Sequence, residues 1–134
     1  MQQLSLKGRA FPGDLNHNGT VFGGWVMSKM DKAASIQVEE IIKSPALTVA
    51  VSTLTFLSPI HSGDVFKAYT NVNKIGRTSI EICVELIVRS KDDLTEKKVT
   101  NGIFKFVAVD QAGAPVLVSE VLRDYIPDYV KEML

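Results

Sequence analysis

The chain has 134 residues, fifteen basic side chains against fifteen acidic ones, and a pI near 6.7. That length fits a single domain spanning residues 1–134 with room for a core, and the even charge argues against a broad basic surface for nucleic acid. One cysteine leaves neither a disulfide framework nor a cysteine zinc site, which fits a reducing compartment. Neither a leader with a basic segment before an apolar run nor a span of ~20 apolar residues is visible, so a soluble cytoplasmic protein with no membrane or nucleic-acid partner is expected.

In chain order, residues 3–11 alternate weakly and predict a short edge strand that Pro12-Gly13 ends. A polar loop with Asn18-Gly19 and Gly23-Gly24 follows. From Val26 the apolar residues fall at 26, 30, 33, 34, 38, 41 and 42, which predicts a helix to about Lys43, closed by Ser44-Pro45. Strands are expected over Leu47–Leu57, Asp64–Ile75, Thr78–Arg89 and Val99–Val109, with Ser90–Lys98 as a hairpin loop and Asp110–Gly113 as a turn. In the third of these, Ile80, Ile82, Val84, Leu86 and Val88 take one face, and Glu81, Cys83, Glu85 and Ile87 the other. An apolar residue on both faces, as at Ile87, points to a sheet partly covered by another subunit. The tail from Ser119, with Tyr125, Ile126, Tyr129, Val130 and Leu134, reads as a short amphipathic helix. One long helix followed by four long antiparallel strands is an α+β arrangement, with no internal repeat.

The chemistry concentrates between Asp14 and Ala34. Asp31 follows Met27 by four residues and precedes Ala34 by three, so it borders the apolar helix face. A lone acid on a helix flank is ordinarily structural; in this position it is either satisfied by a specific partner or kept for chemistry. The Gly23-Gly24 helix start admits a ligand to the backbone, and its unpaired amides and dipole stabilise negative charge. Other chemistries lack their parts. Cys83 lies between Glu81 and Glu85, which would raise a thiol pKa; there is no Gly-x-Ser-x-Gly elbow; His17 and His61 have no ligand pairing, so no metal is expected.

Asp14, Asn16, Gly19, Gly23-Gly24 and Met30-Asp31 resemble the signature of the hotdog-fold acyl-CoA thioesterases, in particular the small bacterial YciA-type acyl-CoA hydrolases. Thr55-Phe56-Leu57, Pro59, Gly63-Asp64, Gly76 with Thr78-Ser79, and Phe104 to Asp110 continue the resemblance in the same order, over roughly residues 11–115. It implies a hotdog: an antiparallel curved sheet wrapped around one long central helix. It implies hydrolysis of acyl-CoA to free acid and CoA without a cofactor, CoA being part of substrate and product. Asp31 then acts as general base or as nucleophile through an anhydride, with Asn16 as second polar partner and Gly24 at the thioester oxygen.

Gly24 and Asp31 are seven residues apart in sequence, about 10 Å of helix, too far to hold one carbonyl within a chain. A dimer that sets Asp31 of one chain against Asn16 and Gly24 of the other resolves this, as the family does, and the family assembles further into hexamers, trimers of dimers. Gly23 and His17 fall within the substrate-binding set, and Asn18 is a weaker candidate with a turn-forming explanation. The resemblance places the pantetheine-phosphate arm at Gly76, Arg77, Thr78 and Ser79, a stretch that also reads as a good hairpin turn. Arg77, Arg89 and Lys105 are candidates for the phosphates. Ser58 departs from the pattern, since many relatives carry arginine there. Val21, Phe22, Trp25 and Met27 are candidate acyl-pocket walls.

Two other readings stay open. A non-catalytic acyl-CoA-binding hotdog would have little use for Asp31, and a ligand sensor usually carries a DNA-binding segment. A hotdog dehydratase acting on hydroxyacyl thioesters usually relies on a histidine, for which His17 is the candidate. Preferred acyl length is not legible in these residues.

Overall fold

The apolar stripe beginning at Val26 becomes the inner face of α1 (Gly23–Ile41), where Val26, Met30, Ala33, Ala34, Val38 and Ile41 are all buried. The computed structural model describes residues 2–134. Ala33 and Ala34 have no exposed surface, so the sheet approaches the helix closely there, and a larger side chain would cost about 1–3 kcal/mol of overpacking. The helix stops two residues before the expected Lys43. Ile42 turns extended and bridges to Leu122, and the Lys43 amide donates to the Val121 carbonyl, so the backbone leaves the helix for a better-placed partner.

Five antiparallel strands surround this helix: β1 (Gln3–Arg9), β2 (Ala46–Phe56), β3 (Val65–Ile75), β4 (Ser79–Arg89) and β5 (Glu96–Ala108), in the order β1-β3-β4-β5-β2. α1 packs against all five, most closely β4 and β3. The alternation read in β4 holds. Ile80, Ile82, Val84, Leu86 and Val88 are buried while Glu81, Cys83, Glu85 and Ile87 are half-buried on the outer face. Each fully buried aliphatic side chain of this set contributes about 1.5–3 kcal/mol.

β1 is an edge strand, as expected; β2 is the other edge. Along it Leu47, Val49 and Phe56 are each about half exposed, as is Leu57 just beyond, a high share of apolar surface for an edge.

Two expectations need correction. The hairpin loop ends at Thr95 rather than Lys98, because Glu96, Lys97 and Lys98 extend the ladder opposite Arg89, Val88 and Ile87. Cross-strand ion pairs hold these charged residues there, Lys67 to Glu96 at 3.1 Å and Lys98 to Glu85 at 2.8 Å. The tail is not one amphipathic helix. It forms a single 3₁₀ turn at Val118–Glu120, an extended strap, and only a four-residue α2 (Asp128–Lys131) after Pro127. The strap takes its hydrogen bonds from the end of α1, with the Arg123 amide donating to the Ile41 carbonyl, and Val130 is fully buried where α2 docks.

Candidate active site

Asp31 is half-buried, one residue past the fully buried Met30, so the acid borders the core face as the helical spacing requires. Its carboxylate accepts one side-chain hydrogen bond among the described residues, from the Thr48 hydroxyl to Oδ1 at 2.7 Å. No basic side chain among them lies within ion-pairing distance of it, and no group of three or more His, Cys, Asp or Glu side chains is placed to hold a metal ion. Thr48 belongs to β2 and was not legible in the sequence, because nothing local links it to a helix seventeen residues earlier.

Phe22 caps α1 without a side-chain hydrogen bond. The first helix amides to find an acceptor among the described residues are those of Trp25 and Val26, both on the Phe22 carbonyl. The amides of Gly23 and Gly24 thus remain free to meet an acceptor from outside. A Cβ at Gly24 would touch nothing within 4 Å, whereas one at Gly23 would meet the Phe56 ring at 3.4 Å. Glycine at position 24 is therefore not demanded by this chain's own packing. An open cleft of about 350 Å³ begins here, lined by Val21, Gly23, Val26, Phe56, Leu57 and Pro59. Of the expected acyl-pocket walls Val21 lines it; Trp25 instead packs edge-on against Phe66, with ring centroids 5.4 Å apart.

Ahead of the helix, Asn16 organises its loop. Its Oδ1 accepts from the amides of Asn18 at 2.8 Å and Thr20 at 3.2 Å, and its Nδ2 donates to the Thr20 hydroxyl at 3.3 Å. The second Nδ2 hydrogen is left for another acceptor. Gly19 in this loop takes φ +83°, a backbone state that favours glycine. His17 and Asn18 are exposed on the turn. Asp14 accepts the Phe11 amide at 2.9 Å, and buried Asp64 accepts the amides of His61 at 2.9 Å and Lys91 at 3.2 Å; both pin loops.

At the β3–β4 turn the Gly76 amide donates to the Ser79 carbonyl at 2.8 Å. A Cβ at Gly76 would stand 2.6 Å from Ser79 Oγ, so a larger residue there would have to turn the Ser79 hydroxyl aside. Gly76 and Arg77 line an open cleft of about 480 Å³ with Leu117 and Ser119. Of the basic residues proposed for the phosphates, Arg77 and Arg89 stand at opposite ends of β4. Arg89 ends β4 ten residues beyond Ser79, about 33 Å away at strand rise, so it cannot share an anion with Arg77. Lys105 stands in register with Glu81 and Ala50.

A family model described as the thioesterase superfamily matches residues 18–95. The acyl-CoA thioester hydrolase YciA of Escherichia coli is 40% identical over 115 residues, 84% of this chain and 87% of that protein. A hexameric broad-specificity acyl-coenzyme A thioesterase, solved with an aspartate replaced by alanine, superposes with a TM-score of 0.86 at 36% identity, over 98% of this chain and 94% of its own. A hexameric thioesterase from Yersinia pestis gives a TM-score of 0.82 at 40% identity, over 92% of this chain and 97% of its own. A curled five-stranded sheet around α1, the glycine-opened helix and an acid on its flank thus come together with relatives of one kind, and the chain belongs to the thioesterase superfamily, with the hotdog fold.

Proposed function

We propose that this protein is an acyl-CoA thioesterase, hydrolysing acyl-CoA to free acid and CoA, with Asp31 as its reacting carboxylate. The observation that carries this reading is the Asp31 carboxylate. It borders the core with no cation to neutralise it among the described residues, where a single hydroxyl holds one of its oxygens. An acid kept for structure alone would be expected to carry an ion pair or several amide donors, as Asp64 does.

The second half of the site is the uncapped start of α1. Free amides at Gly23 and Gly24 supply donors for the thioester oxygen as it gains charge, and the helix dipole adds to them. Both elements belong to one helix at about 10 Å separation, so the reacting pair is Asp31 of one chain with Gly24 and Asn16 of the partner subunit. The exposed apolar edge at β2 supports the pairing of two chains, and the hexamers of the relatives support a trimer of such dimers.

Asp31 acts by one of two routes. As general base it takes a proton from water, the water oxygen bonds to the carbonyl carbon, the C–S bond breaks, and the CoA thiolate takes up the proton. As nucleophile its own oxygen bonds to the carbonyl carbon, the thiolate leaves, and water then cleaves the anhydride. Neither route calls for a metal or redox group. The turn at Gly76 to Ser79, with Arg77, offers amide, hydroxyl and guanidinium donors to the pantetheine-phosphate arm. No helix among the described residues is long and apolar enough to cross a membrane, and a cytoplasmic location fits the substrate.

The test is a thiol-release assay over short, medium and long acyl-CoAs with wild type and Asp31→Asn. The variant should keep its fold and lose roughly 10²–10⁴-fold in turnover. A folded Asp31→Asn enzyme with near-normal turnover would remove Asp31 from the chemistry. A wild type that binds acyl-CoA without releasing thiol would favour the non-catalytic binder.

A further inference from the structure

We propose that Met133 and Leu134, which the tail carries back to the β3–β4 turn, form an apolar binding wall for the pantetheine arm of acyl-CoA. This rests on the reading of that turn as the place where the arm is held. The tail leaves the turn and returns to it. The Val118 amide donates to the Arg77 carbonyl, and the Val118 side chain is buried. The chain then crosses the end of α1, where Leu122 bridges to Ile42 and the Arg123 amide donates to the Ile41 carbonyl. Fully buried Val130 and the Tyr129 hydroxyl, which accepts from Gln37, fix α2. Met133 and Leu134 follow, and together with Ile75, Gly76, Arg77 and Leu117 they line the open cleft of about 480 Å³.

The two sides of this cleft differ in kind. At the turn the carbonyls are already taken: that of Ser79 by the Gly76 amide, that of Thr78 by the Ala108 amide and that of Arg77 by the Val118 amide, each at 2.8 Å. Donors remain. The amides of Arg77 and Thr78 find no acceptor among the described residues, and the Thr78 and Ser79 hydroxyls add two more donors. The tail side is apolar. Met133 is 37% and Leu134 56% exposed, although Val130, which anchors them, has no exposed surface. A segment fastened this firmly holds its open apolar side chains where a ligand can cover them. Spare donors beside an apolar wall suit an amphipathic chain, and the pantetheine arm is one: its two amide carbonyls accept hydrogen bonds, while its gem-dimethyl group and methylenes gain by leaving water. The flexible thioether of Met133 adapts to such a branched group. Neither side chain belongs to the Asp31 and Gly24 pair, so the wall acts on binding and not on the chemical step.

The experiment measures thiol release and thermal melting in the Met133→Ala, Leu134→Ala double variant. One acyl group is presented on CoA, on pantetheine and on N-acetylcysteamine, which lacks the gem-dimethyl part of the arm. KM should rise roughly 5- to 20-fold for the CoA and pantetheine thioesters, with kcat and the melting midpoint little changed. The N-acetylcysteamine thioester should be turned over by variant and wild type with kcat/KM within about twofold of each other. A wild-type KM for acyl-CoA, or an equal loss on the N-acetylcysteamine thioester, overturns the wall. A loss confined to the CoA thioester also overturns it, since the contact would then be to the nucleotide. If the double variant fails to fold, Leu134→Ala alone is read by the same criteria. Arg77→Ala run alongside separates the two readings. A raised KM for acyl-CoA in Arg77→Ala with a wild-type KM in the double variant sinks the wall alone, whereas wild-type KM values in both sink the reading of the turn beneath it.

Discussion

Gly24 and Asp31 stand on one face of α1, seven residues apart, nearly two full turns and about 10 Å of rise. The open space above Gly24 belongs to that same face. A carbonyl held at the helix start therefore needs an acid from elsewhere, and a two-fold dimer supplies it twice.

Mixing two inactive variants tests this pairing. Asn16→Ala and Asp31→Asn chains, dissociated and reassembled, form about half heterodimers, each with one site carrying both lesions and one carrying neither. Activity should return to about a quarter of wild type, since lesions on separate chains do not meet in the intact site. A site built within one chain predicts no recovery. If mixed dimers form, as shown by mass spectrometry, and stay inactive, the shared site is wrong.

Gln37 and Tyr129 define how the tail is fastened. Gln37 is 3% exposed on the core face of α1; its Nε2 donates to the Tyr129 hydroxyl at 3.0 Å, and its Oε1 has no partner among the described residues. Tyr129→Phe strands the whole carboxamide and should cost about 1–3 kcal/mol in denaturant unfolding. Adding Gln37→Leu to Tyr129→Phe should recover much of that loss, because an apolar pair leaves nothing unsatisfied. Protein concentration must be held fixed, since self-association shifts the apparent stability. A neutral Tyr129→Phe would show that this bond does not fasten α2.

Cys83 carries a third expectation. Burial first, and the charge of Glu81 second, push its thiol up from the ordinary value. A raised thiol holds less thiolate at any given pH, and thiolate is the reacting form. Alkylation at about pH 8, near the ordinary thiol range, should thus be slower than for an unstructured cysteine peptide, and should gain rate as the pH rises further. Cys83→Ser should leave hydrolysis unchanged, whereas a folded but inactive Cys83→Ser would restore the cysteine as a nucleophile.

The elements that could be read from the sequence are those whose signal repeats within a few residues. The stripe from Val26 to Ile42 is the buried face of α1 because the helical period is set by backbone geometry alone. β4 alternates cleanly for the same reason. Where the reading failed, a distant partner had overruled a local preference. Glu96 to Lys98 look like loop residues until β4 offers them a ladder and Lys67 and Glu85 offer them opposite charges. The tail looks amphipathic until the end of α1 takes its hydrogen bonds.

The candidate site divides along the same line. Asp31 on a helix flank, the uncapped Gly23-Gly24 start and the turn at Gly76 are all local facts, and the sequence by itself determined them. Only the tertiary structure decided that Thr48 reaches Asp31, that Gln37 finds Tyr129, and that Arg77 and Arg89 stand at opposite ends of β4. Those outcomes depend on strand register. In β2 one extra residue at Val49 reverses which side chains face the helix, and no short-range periodicity announces such an insertion.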